Sequence, residues 1–163
     1  MTAGSPAASL RIVGYFDFSC PYSREAYSLI REMSAKYPQR FFFEYRDFPI
    51  LESHPDAWNA AIAARCAADQ NKFWSYADKL YANQTSQGTE NLKVLAVKAG
   101  LDTNKFDDCF AKRLPQLAIS KNFEEGKRLS LRGTPTFFMN GQRAEGALPR
   151  AEFEKLVLQF PEK

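Results

Sequence analysis

Long apolar runs are missing from these 163 residues. The longest spans a handful of positions, far short of the roughly 20 that a membrane-crossing helix needs, so the reading is of a soluble protein. Cysteine is scarce at 3 and histidine scarcer at 1. Three cysteines are too few for a disulfide scaffold, and with one histidine they lack the paired spacing of a zinc site, so no metal is expected. Charge is not blocked by sign: 22 basic against 19 acidic residues leave +3, scattered along the chain. That excludes a polyanion-binding stripe and makes nucleic acid a poor partner. A Gly-rich phosphate loop, a Gly-x-Ser-x-Gly elbow and an internal repeat are also missing, so no cofactor is implied and neither nucleotide nor serine-hydrolase chemistry has a signal. Met1–Ser9 lacks the basic start and apolar core of a secretory signal. The expectation is either a cytoplasmic protein or one whose leader is not in this chain.

What is present suffices for one domain with a real core: 45% hydrophobic residues, including 14 Phe and 7 Tyr, in a length that buries most of its surface on folding. Leu10–Phe16 is β-branched, aromatic and nearly all apolar, the pattern of a central strand. Ala26, Ile30, Met33 and Tyr37 then fall at helical spacing up to Pro38, and Phe41–Tyr45 reads as a second strand stopped near Pro49. From His54 to Leu131 the period is helical throughout, broken at Asn71, Gln87-Gly88, Gly100 and Pro115, which predicts four or five helices. Thr136–Met139 and Gln142–Glu145 flank Asn140-Gly141, a strong hairpin signal. A last helix opens at Pro149, with Phe153, Leu156, Val157 and Phe160 on one face. The order is β-α-β, a helical block, then β-β-α.

Cys20 lies just past the central strand, at the first turn of a helix whose unpaired N–H groups and dipole favour a thiolate. Pro21 suits that turn, because it surrenders no hydrogen bond there. An inert buried thiol is the competing reading of an isolated cysteine. The second feature is Arg132-Gly133-Thr134-Pro135-Thr136, which puts a proline at the start of an interior strand. A cis peptide bond would excuse it, although most X–Pro bonds are trans.

Two motifs carry a resemblance that covers Leu10 to Phe160. Phe16-Asp17-Phe18-Ser19-Cys20-Pro21-Tyr22-Ser23 looks like an active-site turn, and Gly133-Thr134-Pro135-Thr136-Phe137-Phe138 like a cis-proline loop. Together, around a helical block, they resemble the DsbA-type thiol:disulfide oxidoreductases. The fold implied is α/β and thioredoxin-like, with an all-helical insertion. Residues 10–53 and 132–163 would form the thioredoxin-like domain and 54–131 the inserted subdomain, with 1–9 a disordered segment or an expression remnant.

The resemblance implies catalysis at Cys20, Pro21, Tyr22 and Ser23, with Thr134 and Pro135 holding the substrate backbone. Phe16, Phe18 and Tyr22 would give an apolar rim for clients. The family pattern is Cys-x-x-Cys, and Ser23 departs from it. A serine can donate a hydrogen bond to a thiolate but forms no disulfide, so dithiol oxidase turnover is blocked and a mixed disulfide should persist until an outside thiol intervenes. Two explanations stand open: a natural monothiol enzyme, or a serine substituted to trap the complex. Three pairings of three cysteines are possible. Similar family members carry a second cysteine pair in the helical domain, which implies Cys66 with Cys109 and an oxidising compartment.

Implied with the activity are secreted, extended or unfolded thiol- and disulfide-bearing proteins as partners, a membrane quinone-linked reoxidase for a dithiol form, and a periplasmic or other extracytoplasmic location. A monothiol exchanger or isomerase using small thiols, and a redox-silent peptide-binding module, are the alternatives. His54 is left outside the site because nothing in the sequence places it near Cys20, and Asn83-Gln84-Thr85 is read as a chance glycosylation pattern.

Overall fold

Short side chains let the start of the chain do what periodicity did not signal. In the computed structural model, which describes residues 1–161, the elements are β1 (Thr2–Gly4), β2 (Leu10–Phe16), α1 (Pro21–Lys36), β3 (Phe41–Asp47), α2 (Ala57–Ala68), α3 (Phe73–Ala82), α4 (Thr89–Lys98), α5 (Thr103–Ala111), α6 (Gln116–Arg128), β4 (Thr136–Met139), β5 (Gln142–Glu145) and α7 (Arg150–Gln159). Residues 1–9 read from the sequence as a disordered segment or an expression remnant; they are ordered here, and β1 pairs antiparallel with β3, Thr2 opposite Glu44 and Gly4 opposite Phe42. A Cβ at Gly4 would sit 2.1 Å from the Phe41 carbonyl oxygen, so only glycine lets the edge strand come this close. Backbone pairing needs no apolar alternation, which is why the pattern was silent.

The chain divides into two compact units. The first holds residues 1–16, 21–46 and those from Leu131 onward. Its sheet runs β1-β3-β2-β4-β5, with β2 central. β2 and β4 pair antiparallel with Ile12 opposite Met139 and Tyr15 opposite Thr136, and β4–β5 closes through Asn140-Gly141, both at positive φ as that tight turn demands. Phe16 stacks on Tyr45 at 4.9 Å and meets Phe43 and Phe137 edge-on. A Cβ at Gly14 would lie 2.4 Å from the Phe16 ring, so the glycine makes room for this cluster. On α1, Ala26, Ile30 and Met33 are buried at the spacing read from sequence. On α7 only Phe153 and Val157 are fully buried; Leu156 is half-buried, as is Phe160 just past the helix end.

The second unit holds residues 17–20 and 47–130, so the boundary expected at 53/54 lies at 46/47 and the four residues before α1 join the helical side. Their contacts, given below, explain this. α2 is alanine-rich, and its small side chains are buried nearly all round. Tyr76 is wholly buried; its hydroxyl donates to the Leu92 carbonyl at 2.8 Å, and burial pushes the phenol far up, so it stays protonated. Cys66 of α2 and Cys109 of α5 form a disulfide across 43 positions. Closing a loop of that length stabilises a domain by about 2–4 kcal/mol. The double variant Cys66→Ala/Cys109→Ala should therefore lose about that much in urea unfolding, and an unchanged midpoint would refute the estimate.

Candidate functional site

Asp17 ends the apolar run of β2 with a carboxylate that has nowhere to go but inward: the residue is 1% exposed. A buried carboxylate must be hydrogen-bonded, and this one is. Its Oδ1 accepts from the Ser19 N–H at 2.7 Å, its Oδ2 accepts from the Ile50 N–H at 2.8 Å, and His54 Nδ1 lies 2.9 Å from Oδ2. The Cys20 N–H donates to the Asp17 carbonyl at 3.2 Å. Asp17 thus winds residues 17–20 into a compact turn and ties it to the segment before α2.

The opposite side of the turn is held by two glutamines from the α3–α4 connection. Gln84 Nε2 donates to the carbonyls of Phe18 and Cys20 at 2.8 and 2.9 Å. Gln87 Nε2 donates to the carbonyls of Phe18 and Leu80, and its Oε1 accepts from the Ser19 hydroxyl at 2.7 Å. The Phe18 ring packs against Tyr81 at 5.0 Å and Phe73 at 6.3 Å. Residues 17–20 therefore fold with the helical unit.

Cys20 stands directly before α1, takes no part in the disulfide and is 6% exposed. Pro21 opens the helix; Tyr22 is 61% exposed, and Ser23, in the first turn, is fully buried. The expected apolar rim reduces to Tyr22, since Phe16 and Phe18 are each 1% exposed and spent on core packing.

In the other unit the Thr134–Pro135 peptide bond is cis. The loop is braced by Thr136 Oγ1 donating to the Gly133 carbonyl and by the Gly146 N–H donating to the Pro135 carbonyl, both at 2.8 Å. A cleft of about 200 Å³ opens beside it, between Arg132 and Glu145.

The second unit also holds a largely buried ion pair that the sequence did not announce. Asp47 Oδ2 accepts from Arg65 Nε at 2.6 Å, and the Asn122 amide oxygen accepts from Arg65 Nη2 at 2.7 Å. Burial pushes the Asp47 carboxyl up, and the Arg65 guanidinium pulls it partly back.

Asp17, His54, Gln84 and Gln87 are the residues that sequence reasoning missed. His54 was set aside for its distance along the chain, yet 37 positions shrink to a single hydrogen bond. Two faint signals existed: an acid closing an apolar run, and glutamines in a loop otherwise read as a glycosylation pattern. Among the described residues no helix is long and apolar enough to cross a membrane, and no group of three or more His, Cys, Asp or Glu could hold a metal ion.

Comparison with known proteins matches residues 1–159 to the thioredoxin family. The chain is 32% identical over 145 residues to the Na(+)/H(+) antiporter NhaA 1 of Mycolicibacterium gilvum, covering 88% of this chain and 24% of that one. It spans about a quarter of the length of such curated relatives. Among solved structures it is similar to a thioredoxin-like oxidoreductase from Silicibacter pomeroyi, at 23% identity and TM-score 0.79 over 98% of this chain and 90% of that one. It is also similar to the thiol-disulfide exchange protein α-DsbA2 from Wolbachia pipientis, at 21% identity and TM-score 0.79 over 97% and 85%. Likeness at that identity establishes a shared fold.

Proposed function

Because this chain belongs to the thioredoxin family, we propose that it is a thiol:disulfide oxidoreductase of the DsbA kind, working through Cys20 on extended, disulfide-bearing proteins outside the cytoplasm. The observation that carries the reading is the Asp17–Cys20 turn, which delivers a cysteine outside the disulfide to the start of α1. Fold likeness to a thiol-disulfide exchange protein supports it. The Cys66–Cys109 disulfide supports an oxidising compartment.

The Cys20 thiolate attacks one sulfur of a substrate disulfide. The S–S bond breaks, a Cys20–substrate disulfide forms, and the other substrate sulfur leaves as a thiolate that takes a proton from solvent. Thr134 and Pro135 would hold the substrate backbone, and Tyr22 would offer its apolar face. With Ser23 in the resolving place, an external thiol must release the complex by attacking the same bond, and it carries away one of the two sulfurs.

Ser23 favours one second reading: a natural monothiol exchanger or isomerase that uses small thiols for release. A dithiol form would in addition need a reoxidant, for which a membrane quinone-linked partner is proposed. The antiporter relatives, of which this chain matches about a quarter, also make attachment to a membrane transporter a proposal for the whole protein.

The test is direct. Incubation with a disulfide-bonded unfolded protein should give one covalent adduct per chain at Cys20, stable until glutathione is added and abolished by Cys20→Ala. Client binding that survives Cys20→Ala without any adduct would establish a redox-silent module instead.

A further inference from the structure

We propose that Gln84, assisted by Gln87, is a positioning residue for Cys20: its amide aims the thiol by holding the peptide group that follows Cys20 and the one that precedes Ser19. The inference rests on Cys20 being the reactive group. Each residue has two soft backbone dihedrals, set by the orientations of its flanking peptide planes. Gln84 Nε2 donates to the Phe18 carbonyl at 2.8 Å and to the Cys20 carbonyl at 2.9 Å, so one NH2 group fixes the planes that bracket Ser19 and Cys20.

Gln87 secures the same stretch from a second direction, through the Phe18 carbonyl at 3.1 Å and the Ser19 hydroxyl at 2.7 Å, and anchors itself on the last turn of α3 through the Leu80 carbonyl. With the Cys20–Pro21 plane held by Gln84 and the Cys20 N–H donating to the Asp17 carbonyl at 3.2 Å, both dihedrals of Cys20 are restrained, and with them the Cα–Cβ direction at the start of α1. The choice of residue is informative. A glutamine donates without charge, whereas a lysine or arginine in its place would pair with the thiolate and compete with substrate. Gln84 is half-buried and Gln87 buried, while Thr85 and Ser86 between them are exposed, so the segment turns its two glutamines inward.

The consequence concerns ionisation, and it separates from packing. Cys20 is 6% exposed, so a variant that merely loosened the turn would uncover the thiol and speed its alkylation at every pH. A variant that misaims the thiol should slow alkylation where ionisation limits the rate, near neutral pH, and leave it unchanged at strongly alkaline pH where the thiol is fully ionised. The experiment is the pH profile of iodoacetamide alkylation of the full chain, whose other two cysteines are paired.

Gln84→Met, which keeps the length and loses the donor, should react about fivefold more slowly at neutral pH, the scale of one hydrogen bond. Its rate should converge with the parent's at alkaline pH. Gln84→Glu should be slower still, because it turns a carboxylate on two carbonyl oxygens and adds negative charge beside a thiolate. Rates at neutral pH that are unchanged or faster in both variants would overturn the proposal. Exchange with glutathione disulfide, measured alongside, keeps the two readings distinct. If the parent chain fails to exchange while Gln84→Met still shows the slowed alkylation, the oxidoreductase reading falls and the positioning role stands.

Discussion

Ser23→Cys should convert the trapped mixed disulfide into a transient one. The introduced thiol lies three residues after Cys20 in the first turn of α1, a spacing at which helical side chains are neighbours. It can attack the Cys20 sulfur of the mixed disulfide, expel the substrate thiolate and leave an internal disulfide, so the substrate is reduced and the enzyme oxidised by one pair of electrons. Resolution becomes intramolecular, and its effective molarity far exceeds the millimolar external thiol that the parent chain depends on. The lifetime of the complex should fall on the order of a hundredfold or more, and dithiol turnover should appear.

Ser23 is fully buried, and sulfur is only slightly larger than oxygen, so the variant should fold. The measurements are thiol titration, mass-mapped disulfides and adduct lifetime in the absence of glutathione. A folded variant with the extra thiol that still holds its adduct indefinitely, and never forms the internal disulfide, would remove the DsbA-like assignment.

Arg65→Met should cost about 3–5 kcal/mol at neutral pH, because it leaves the Asp47 carboxylate buried without its guanidinium. Methionine retains the apolar stem of the arginine, so the loss reports the charge and not a cavity. The pH dependence identifies the cause. Burial already holds the Asp47 carboxyl above its ordinary range, and removing Arg65 takes away the main influence that lowers it.

A carboxyl that titrates higher folded than unfolded binds its proton more tightly in the native state. Its stabilising contribution is complete below the unfolded range and is lost as pH rises through the folded one. The deficit of Arg65→Met should therefore be greatest at neutral pH and shrink as the solution is acidified toward the ordinary aspartate range. Adding Asp47→Asn should recover part of it at neutral pH. A deficit that stays constant with pH, or that grows on acidification, would show that Asp47 is not the group left unpaired.

The order of elements was legible because the signals for it are local. Leu10–Phe16, Thr136–Met139 and Gln142–Glu145 match the observed β2, β4 and β5 residue for residue, since alternation, apolar runs and an Asn-Gly turn act over a few neighbouring positions. The helix breaks fall where Asn71, Gly88 and Gly100 interrupt the period. The position of Cys20 at a strand-to-helix junction was readable for the same reason, and so was Pro135 at the head of a strand. β1 escaped because an edge strand of small residues is held by its backbone, which leaves no periodic trace.

What the tertiary structure alone decided is how the turn before Cys20 is held. Asp17 meets His54 across 37 positions, Gln84 reaches the Cys20 carbonyl across 64, and Ser19 meets Gln87 across 68. Each partner is a polar side chain whose own neighbours in sequence say nothing of its destination, because one turn of a loop redirects it by the full length of a helix. Composition and period settle which segments bury their faces. Which carbonyl a particular amide finds depends on where several helices and their connections come to rest together, a property of the packed chain that no short window of residues contains.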